Sequence, residues 1–217
     1  MRPLKKAVVF DLDGTILNTT KDIGLAIGRT LDAEFSDDQI NRFVGRGLRN
    51  AIINASREIG YRCDDTDALL QRLLSFYREV PVKYTRPYPG VTEFLRDLNG
   101  SGIPICVYSN KEQDIAESVL NICFPDITFA QITGMNGNFE MKPSSQAIIA
   151  FSKLVKTNLS ELLYVGDSEV DFKTAVNAGV DYRILTWGMR KKEDLLESGV
   201  PKEVLVSDID QIRDLVF

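Results

Sequence analysis

The chain has 217 residues, of which 44% are hydrophobic and 26% charged, so it can bury the core of one large domain or of a core domain carrying a smaller one. Its formal net charge of -5 argues against a nucleic-acid partner, because phosphate backbones are bound by an excess of Lys and Arg. The chain has no histidine, which excludes Ser-His-Asp triads, Cys-His pairs and histidine-ligated zinc, and leaves carboxylates, lysine, hydroxyls or a thiol for catalysis.

The beginning of the chain does not fit a targeting segment. Residues 1–6 are basic, but the apolar run that follows them ends at Asp11 and is too short for a signal peptide. No stretch approaches the ~20 apolar residues of a membrane span. We therefore expect a cytoplasmic protein with no membrane partner.

Short apolar runs alternate with helical patterns along most of the chain. The runs predict strands at residues 7–10, 104–109, 162–165, 182–185 and 204–206. Apolar residues three and four apart predict helices at 91–98, 114–122, 145–154, 169–178 and 208–215. Such alternation predicts an α/β fold with a doubly wound parallel sheet, because parallel strands need helical crossovers.

The segment 16–84 breaks this alternation. It has no good strand, but helical patterns cover 21–31, 48–59 and 67–77. A helical domain inserted after the first strand explains this pattern, bounded by the cap signal at 18–20 and the proline-rich return at 84–90. We predict a core domain of residues 1–15 and 85–217 and a cap domain of residues 16–84.

The three cysteines predict packed thiols. Cys63, Cys106 and Cys123 are odd in number and widely spaced, so they form neither a disulfide framework nor a paired metal-binding motif. Free cysteines are usually buried as small apolar side chains. We expect these three to contribute to the core.

Chemically active residues follow the predicted strands, at the edge where ligands bind in an open parallel sheet. They are Asp11, Asp13, Ser109, Asn110, Lys142, Asp167 and Asp171. Four carboxylates at one edge would repel each other unless a cation compensates them, and Mg²⁺ is the usual cation when phosphate oxygens complete its shell. For Asp167 and Asp171, a cap at the start of the next helix is the alternative.

The residue types suit phosphoryl transfer. Alternation along a strand puts Asp11 and Asp13 on one side, so Asp11 can attack phosphorus while Asp13 protonates the departing oxygen and later deprotonates water. Lys142 and the Asn110 amide supply positive charge and donors, and the Thr15 hydroxyl or N–H can hold the phosphoryl group.

Four ordered motifs resemble those of the haloacid dehalogenase (HAD) superfamily of phosphatases. They are Asp11-Leu-Asp-Gly-Thr15, Ser109-Asn110, Lys142-Pro143 and Gly166-Asp167-Ser-Glu-Val-Asp171. The inserted segment resembles the C1 cap of that superfamily. Three further segments are similar to the phosphoglycolate phosphatase-like group: residues 11–18, Phe43-Val-Gly-Arg-Gly47 and Tyr88-Pro-Gly-Val91.

The resemblance implies a Mg²⁺-dependent phosphatase that acts on phosphoglycolate or a similar small phosphorylated metabolite through an aspartyl-phosphate. Asp11 would be the nucleophile and Asp13 the acid and base. The implied metal ligands are Asp11, the Asp13 backbone carbonyl and Asp167, with Asp171 binding the ion directly or supporting it. In the cap, Gly45, Arg46 and Gly47 would reach over the site and contact the leaving group, or else form a plain turn.

Two other functions stay open. A phosphomutase of the β-phosphoglucomutase kind would use the same Asp11 and Asp13, and a non-catalytic binding protein could keep the fold. A dehalogenase is disfavoured, since carbon-halogen displacement does not need the acid that Asp13 supplies. The protein is expected to be a monomer or homodimer.

Overall fold

The computed structural model describes residues 4–62, 64–135 and 138–217. Its strands are, in chain order, β1 (Ala7–Phe10), β2 (Leu17–Asn18), β3 (Arg86–Pro87), β4 (Ile105–Glu112), β5 (Gln131–Met135), β6 (Leu162–Gly166), β7 (Asp181–Leu185) and β8 (Leu205–Val206). Six of them form a parallel sheet in the order β5-β4-β1-β6-β7-β8. The predicted doubly wound parallel sheet is confirmed.

The helices fall into two groups. They are α1 (Thr20–Leu31), α2 (Asp37–Phe43), α3 (Gly47–Glu58), α4 (Thr66–Glu79), α5 (Val91–Gly100), α6 (Gln113–Cys123), α7 (Gln146–Leu154), α8 (Glu169–Ala178), α9 (Lys192–Glu197) and α10 (Asp210–Arg213). The first four follow one another between β2 and β3, and the others alternate with the strands of the sheet.

The central strand β1 is buried along its whole length, as expected for a parallel sheet covered on both faces. Val8 and Phe10 pack into the larger of the hydrophobic clusters, which continues into α1–α4. Ala7 and Val9 point to the other face and pack against residues of α7 and α8. This alternation places the residue after Phe10, Asp11, at the carboxyl edge of the sheet.

The two connections between the sheet and α1–α4 run side by side. Strand β2 pairs antiparallel with β3, Leu17 opposite Pro87 and Asn18 opposite Arg86. Nearby, the buried Asp22 carboxylate accepts hydrogen bonds at 2.8–3.0 Å from the backbone N–H groups of residues 83–85. The expectation of no strand within 16–84 is corrected here, because two residues are too short a strand for a hydrophobic pattern to indicate.

Four further elements differ from the predicted ones. Helix α2, strand β5 and helix α9 were not predicted, and α10 is shorter than the predicted 208–215. Helix α2 is short and mostly polar, but it begins with a capping box in which Ser36 and Gln39 bind each other's backbone N–H. Local hydrogen bonds therefore define this helix where the apolar periodicity is weak.

The described helices include none that is both long and apolar enough to cross a lipid bilayer. Cys106 is a buried free thiol in β4, and Cys123 is a partly buried free thiol at the end of α6. The predicted free thiols are confirmed for these two, and Cys63 lies outside the described residues.

Candidate active site

Asp11 lies directly after β1, with its side chain buried. Its Oδ1 accepts a hydrogen bond of 2.5 Å from the Lys142 ammonium, and its Oδ2 lies 3.3 Å from the Thr15 hydroxyl. Burial raises the pKa of Asp11 to about 7; Lys142 opposes this rise and Asp171 adds to it. One carboxylate is thus held in a fixed orientation beside a cation.

Asp13, two residues further on, has a separate set of partners. The Lys111 Nζ lies 2.8 and 2.9 Å from its two carboxylate oxygens, and the Thr19 hydroxyl donates to Oδ1 at 2.7 Å. Burial lowers the pKa of Lys111, but Asp13 and Tyr77 outweigh burial and hold that pKa above its usual value. Asp11 and Asp13 both line one cavity, as their two-residue spacing predicted.

Gly14 lets the chain turn between these carboxylates and the opposite loop. Its φ is +90°, a conformation that favours glycine, and a Cβ there would collide with the Asp167 carboxylate. The close approach of the β1 loop to the β6 loop therefore depends on this residue.

Asp167 and Asp171 come from the loop after β6 and from the first turn of α8. The Asp167 Oδ2 accepts a hydrogen bond of 2.6 Å from the Met189 backbone. Asp171 belongs to the capping box of α8, in which Ser168 is the N-cap. Its Oδ1 accepts bonds from Lys142 at 2.7 Å and the Tyr164 hydroxyl at 2.8 Å, so Asp171 serves the helix and the cluster together.

Lys142 lies between two carboxylates, paired with Asp11 and Asp171, and its side chain is buried. Burial lowers the pKa of this ammonium, but the two carboxylates outweigh burial and hold the pKa above its usual value. Lys142 therefore stays charged, as its predicted role requires.

The acidic cluster fits a hard divalent cation. Oxygen atoms of Asp11, Asp167 and Asp171 all lie within 4.8 Å of one another, and all three residues are buried. Burial, reinforced by Asp11 and Asp171, raises the pKa of Asp167 well above its usual value, which shows how unfavourable the uncompensated charges are. Carboxylate oxygens are the ligands that Mg²⁺ prefers.

Ser109 and Asn110 lie in the second half of β4, on the wall of the same cavity, whose volume is about 30 Å³. The Asn110 Oδ1 accepts a hydrogen bond of 2.8 Å from the Lys142 backbone, and its amide nitrogen lies 3.3 Å from the Gly45 carbonyl. Asn110 therefore joins the Lys142 loop to the inserted segment 16–84.

Thr15 does not line this cavity. Its hydroxyl is shared between Asp11 and Asp167, and its backbone N–H bonds to the Leu12 carbonyl at 3.3 Å. Both donors that the sequence offered for a phosphoryl group are engaged within the protein, so the contribution of Thr15 to such a site would come through the two carboxylates.

The residues of loop 44–47, called the cap loop below, face two different cavities. Val44, Gly45 and Gly47 line the cavity beside the acidic cluster. The Arg46 side chain is 66% exposed, lies 3.5 Å from Glu169 and lines a larger outer cavity of about 720 Å³. The structure thus brings the two glycines to the predicted site but turns Arg46 towards the outer rim, because Glu169 attracts its guanidinium there.

Two cations of the site, one buried (Lys111) and one partly buried (Arg190), were not predicted. Lys111 directly follows Asn110, and Arg190 follows the end of β7. The Arg190 guanidinium donates to the Val44 carbonyl at 2.6 Å and to Glu169 at 3.2 Å, and it also bonds to the Asn41 carbonyl. Lys111 lies two residues after the predicted strand end at 109 and Arg190 five residues after the predicted strand end at 185, so their position after a predicted strand is the signal that could have found them.

A family model for haloacid dehalogenase-like hydrolases matches residues 8–184. The chain belongs to this family. The match runs from the second residue of β1 to the fourth residue of β7 and includes all four motifs described above. The resemblance inferred from those motifs is confirmed at the level of the family.

Known proteins are similar to this chain over nearly its whole length. Phosphoglycolate phosphatase of Aquifex aeolicus is 28% identical over 212 residues, covering 96% of this chain and 95% of that protein. The same-named protein of Agrobacterium fabrum is 32% identical over 222 residues, covering 100% and 94%. The crystal structure of a predicted phosphoglycolate phosphatase from Haemophilus somnus 129PT matches with a TM-score of 0.88 at 24% identity, covering 98% of each chain, and shows the shared fold.

Proposed function

We propose that the protein is a Mg²⁺-dependent phosphatase that hydrolyses phosphoglycolate or a similarly compact phosphomonoester. The observation that carries the proposal is the separate pairing of two neighbouring carboxylates: Asp11 with Lys142, and Asp13 with Lys111 and Thr19. Carboxylates in different environments can take different roles in one reaction. The names of the two relatives favour this class of substrate.

The reaction has two displacements at phosphorus. First, an Asp11 oxygen attacks phosphorus, the bond to the ester oxygen breaks, and protonated Asp13 gives its proton to the departing oxygen. The phosphoryl group is then carried by Asp11 as an aspartyl-phosphate. Water next attacks phosphorus and passes a proton to Asp13, and the bond to Asp11 breaks, which releases inorganic phosphate and restores both carboxyl groups.

The residues that would hold Mg²⁺ are Asp11, Asp167 and the Asp13 backbone carbonyl. Asp171 would support the ion, because its oxygens already accept hydrogen bonds from Lys142 and Ser168. When bound, the ion supplies positive charge beside the phosphoryl oxygens. Lys142 keeps Asp11 oriented, while Ser109 and the Asn110 amide border the space for the phosphoryl group.

Segment 16–84 would act as the cap and residues 1–15 and 85–217 as the core. The paired strands β2 and β3 support this division, since they hold the two crossings together. Gly45 and Gly47 border the small inner cavity, which favours a compact leaving group. A sugar phosphate, the substrate of a phosphomutase, would have to displace this loop. The cytoplasmic location and a monomer or homodimer remain predictions.

The test is release of inorganic phosphate from phosphoglycolate, ethyl phosphate and glucose 6-phosphate, with Mg²⁺ and with a chelator. We expect Mg²⁺-dependent release, fastest from the compact esters, and none from the Asp11→Asn variant. Phosphoryl transfer between glucose phosphates without release of phosphate would indicate the phosphomutase instead. Tight binding with no release from any ester would indicate a binding protein.

A further inference from the structure

Three cations line the inner cavity among the residues that the structure describes: Lys111, Lys142 and Arg190. Lys142 is shared between Asp11 and Asp171, on the side of the nucleophile. Arg190 is shared between backbone carbonyls of the cap and Glu169. Lys111 alone of the three is paired with Asp13, the residue that would protonate the departing oxygen.

Lys111 is shielded from water. Its side chain is 1% exposed, and its Nζ lies 4.7 Å from the ring centroid of Tyr77, which belongs to cap helix α4. A charge pair formed in such a place is stronger than one on the surface, because little solvent screens it. An ammonium has three N–H donors, and Asp13 offers it two oxygens, so Asp13 does not exhaust them.

We infer that Lys111 is a specificity-determining residue whose ammonium binds a carboxylate on the leaving group of the substrate. The inference rests on the proposed phosphatase function and goes beyond it by assigning one residue, Lys111, to the recognition of a carboxylate close to the ester oxygen.

The reach of Lys111 sets that distance. Its Nζ is within hydrogen-bond distance of both Asp13 oxygens, and an Asp13 oxygen must itself reach the ester oxygen to protonate it. The carboxylate therefore has to lie near the ester oxygen, as in phosphoglycolate, where one methylene separates them. Arg46, the cation that the sequence offered for this contact, is turned to the outer rim against Glu169.

The experiment compares two substrates of similar length, phosphoglycolate and ethyl phosphate, which differ in the carboxylate. The kcat/KM of each is measured for the wild type and for Lys111→Met, Lys111→Arg and Arg46→Met. Lys153→Met, which removes a charge from an exposed position on α7, is the matched control. Dissociation constants for both esters in an Asp11→Asn background give a readout that does not depend on turnover.

We expect Lys111→Met to lower the ratio of kcat/KM for phosphoglycolate to that for ethyl phosphate by about tenfold or more, the loss of one charge-assisted contact. Lys111→Arg should recover part of the ratio because it keeps the charge, and the dissociation constants should follow the same order. Residual hydrolysis of ethyl phosphate shows that the Met variant is folded, and the dissociation constants decide the matter if turnover is too low.

Equal losses for both esters in Lys111→Met would overturn the inference and reduce Lys111 to a positioning residue for Asp13. A fall of the ratio in Arg46→Met instead would assign the contact to Arg46. Either outcome leaves the phosphatase proposal standing, whereas absence of phosphate release by the wild type would remove that proposal itself.

Discussion

The acidic cluster at the sheet edge and the cap loop above it are held by different kinds of contact. In the cluster, side chains hold side chains: Lys142 binds Asp11 and Asp171. In the cap loop, core side chains hold the main chain: Arg190 donates to the Val44 carbonyl, and the Asn110 amide lies against the Gly45 carbonyl. The identity of the side chains therefore determines the cluster, whereas the position of the loop depends on a few hydrogen bonds to its main chain.

The strongest way to break the cluster is Asp11→Asn. This change keeps the shape of the side chain but removes the proposed nucleophile and one proposed metal ligand, so we expect phosphate release to fall by at least about 1000-fold. Phosphate assays, together with circular dichroism to verify the fold, check this result. More than a few per cent of the wild-type rate would contradict the covalent mechanism.

Asp13→Asn tests the role of the second carboxylate separately from that of Asp11. We expect kcat/KM, which covers the steps up to the aspartyl-phosphate and not its hydrolysis, to fall by about 100-fold or more with an alkyl phosphate, because its leaving oxygen needs a proton. The loss should be smaller with p-nitrophenyl phosphate, whose leaving group departs without one. Equal losses on the two esters would argue that Asp13 shapes the site and is not its acid.

Metal binding tests the cluster through pH. In the metal-free protein the pKa of Asp11 is raised to about 7, so a proton must leave before the carboxylate can bind an ion. We expect the dissociation constant for Mg²⁺, measured by calorimetry, to rise by about tenfold or more from pH 8 to pH 6, since Asp167 is shifted in the same direction. No change with pH would contradict a role of Asp11 as ligand.

The same pKa shifts make the stability of the metal-free protein depend on pH. Because the pKa values of Asp11 and Asp167 are raised on folding, the native state binds more protons than the unfolded state between the ordinary carboxylate range and about pH 7. The free energy of unfolding should therefore rise as the pH falls from 8 towards 5 without metal. Excess Mg²⁺ should stabilise the protein most at the upper end of that range.

A substitution of Arg190 tests the contacts that hold the cap loop. Arg190→Met removes donors to two carbonyls at the end of α2, and we expect kcat/KM to fall by roughly fivefold, the effect of about 1 kcal/mol. Hydrogen exchange of residues 41–47 should become faster while that of β1 and β6 stays unchanged. Arg190→Lys is the control for charge, and unchanged exchange in the Met variant would show that Arg190 does not hold the loop.

The sequence was informative where the topology leaves little choice. Carboxyl ends of neighbouring parallel strands meet at one edge, so residues that follow β1, β4 and β6 come together whatever the details of packing. Asp11, Asp13 and Asp167 could therefore be grouped in advance. Lys111 was missed because β4 continues to Glu112, beyond the predicted strand end at residue 109.

The cap was less predictable because its geometry depends on how helices pack. The glycines of the cap loop could be placed near the site, but the direction of Arg46 depends on Glu169, which lies 123 residues away in the chain. Helix α2 has a weak apolar pattern, although the Ser36 to Gln39 capping box was present in the sequence. Local signals of this kind locate a helix, and only packing orients its side chains.

The smallest expected effects come from removing the same kind of helix N-cap in each of the two regions. Ser36 begins α2 in the cap and Ser168 begins α8 in the core, each with its hydroxyl accepting the third backbone N–H of its helix. Either Ser→Ala change should lower the free energy of unfolding by about 1 kcal/mol, measured by urea denaturation. Only Ser168→Ala should also slow phosphate release, because the Ser168 hydroxyl donates to Asp171 at 2.5 Å, and Asp171 in turn holds Lys142. Equal activity losses would mean that the order of α2 matters to the chemistry as much as the acidic cluster does.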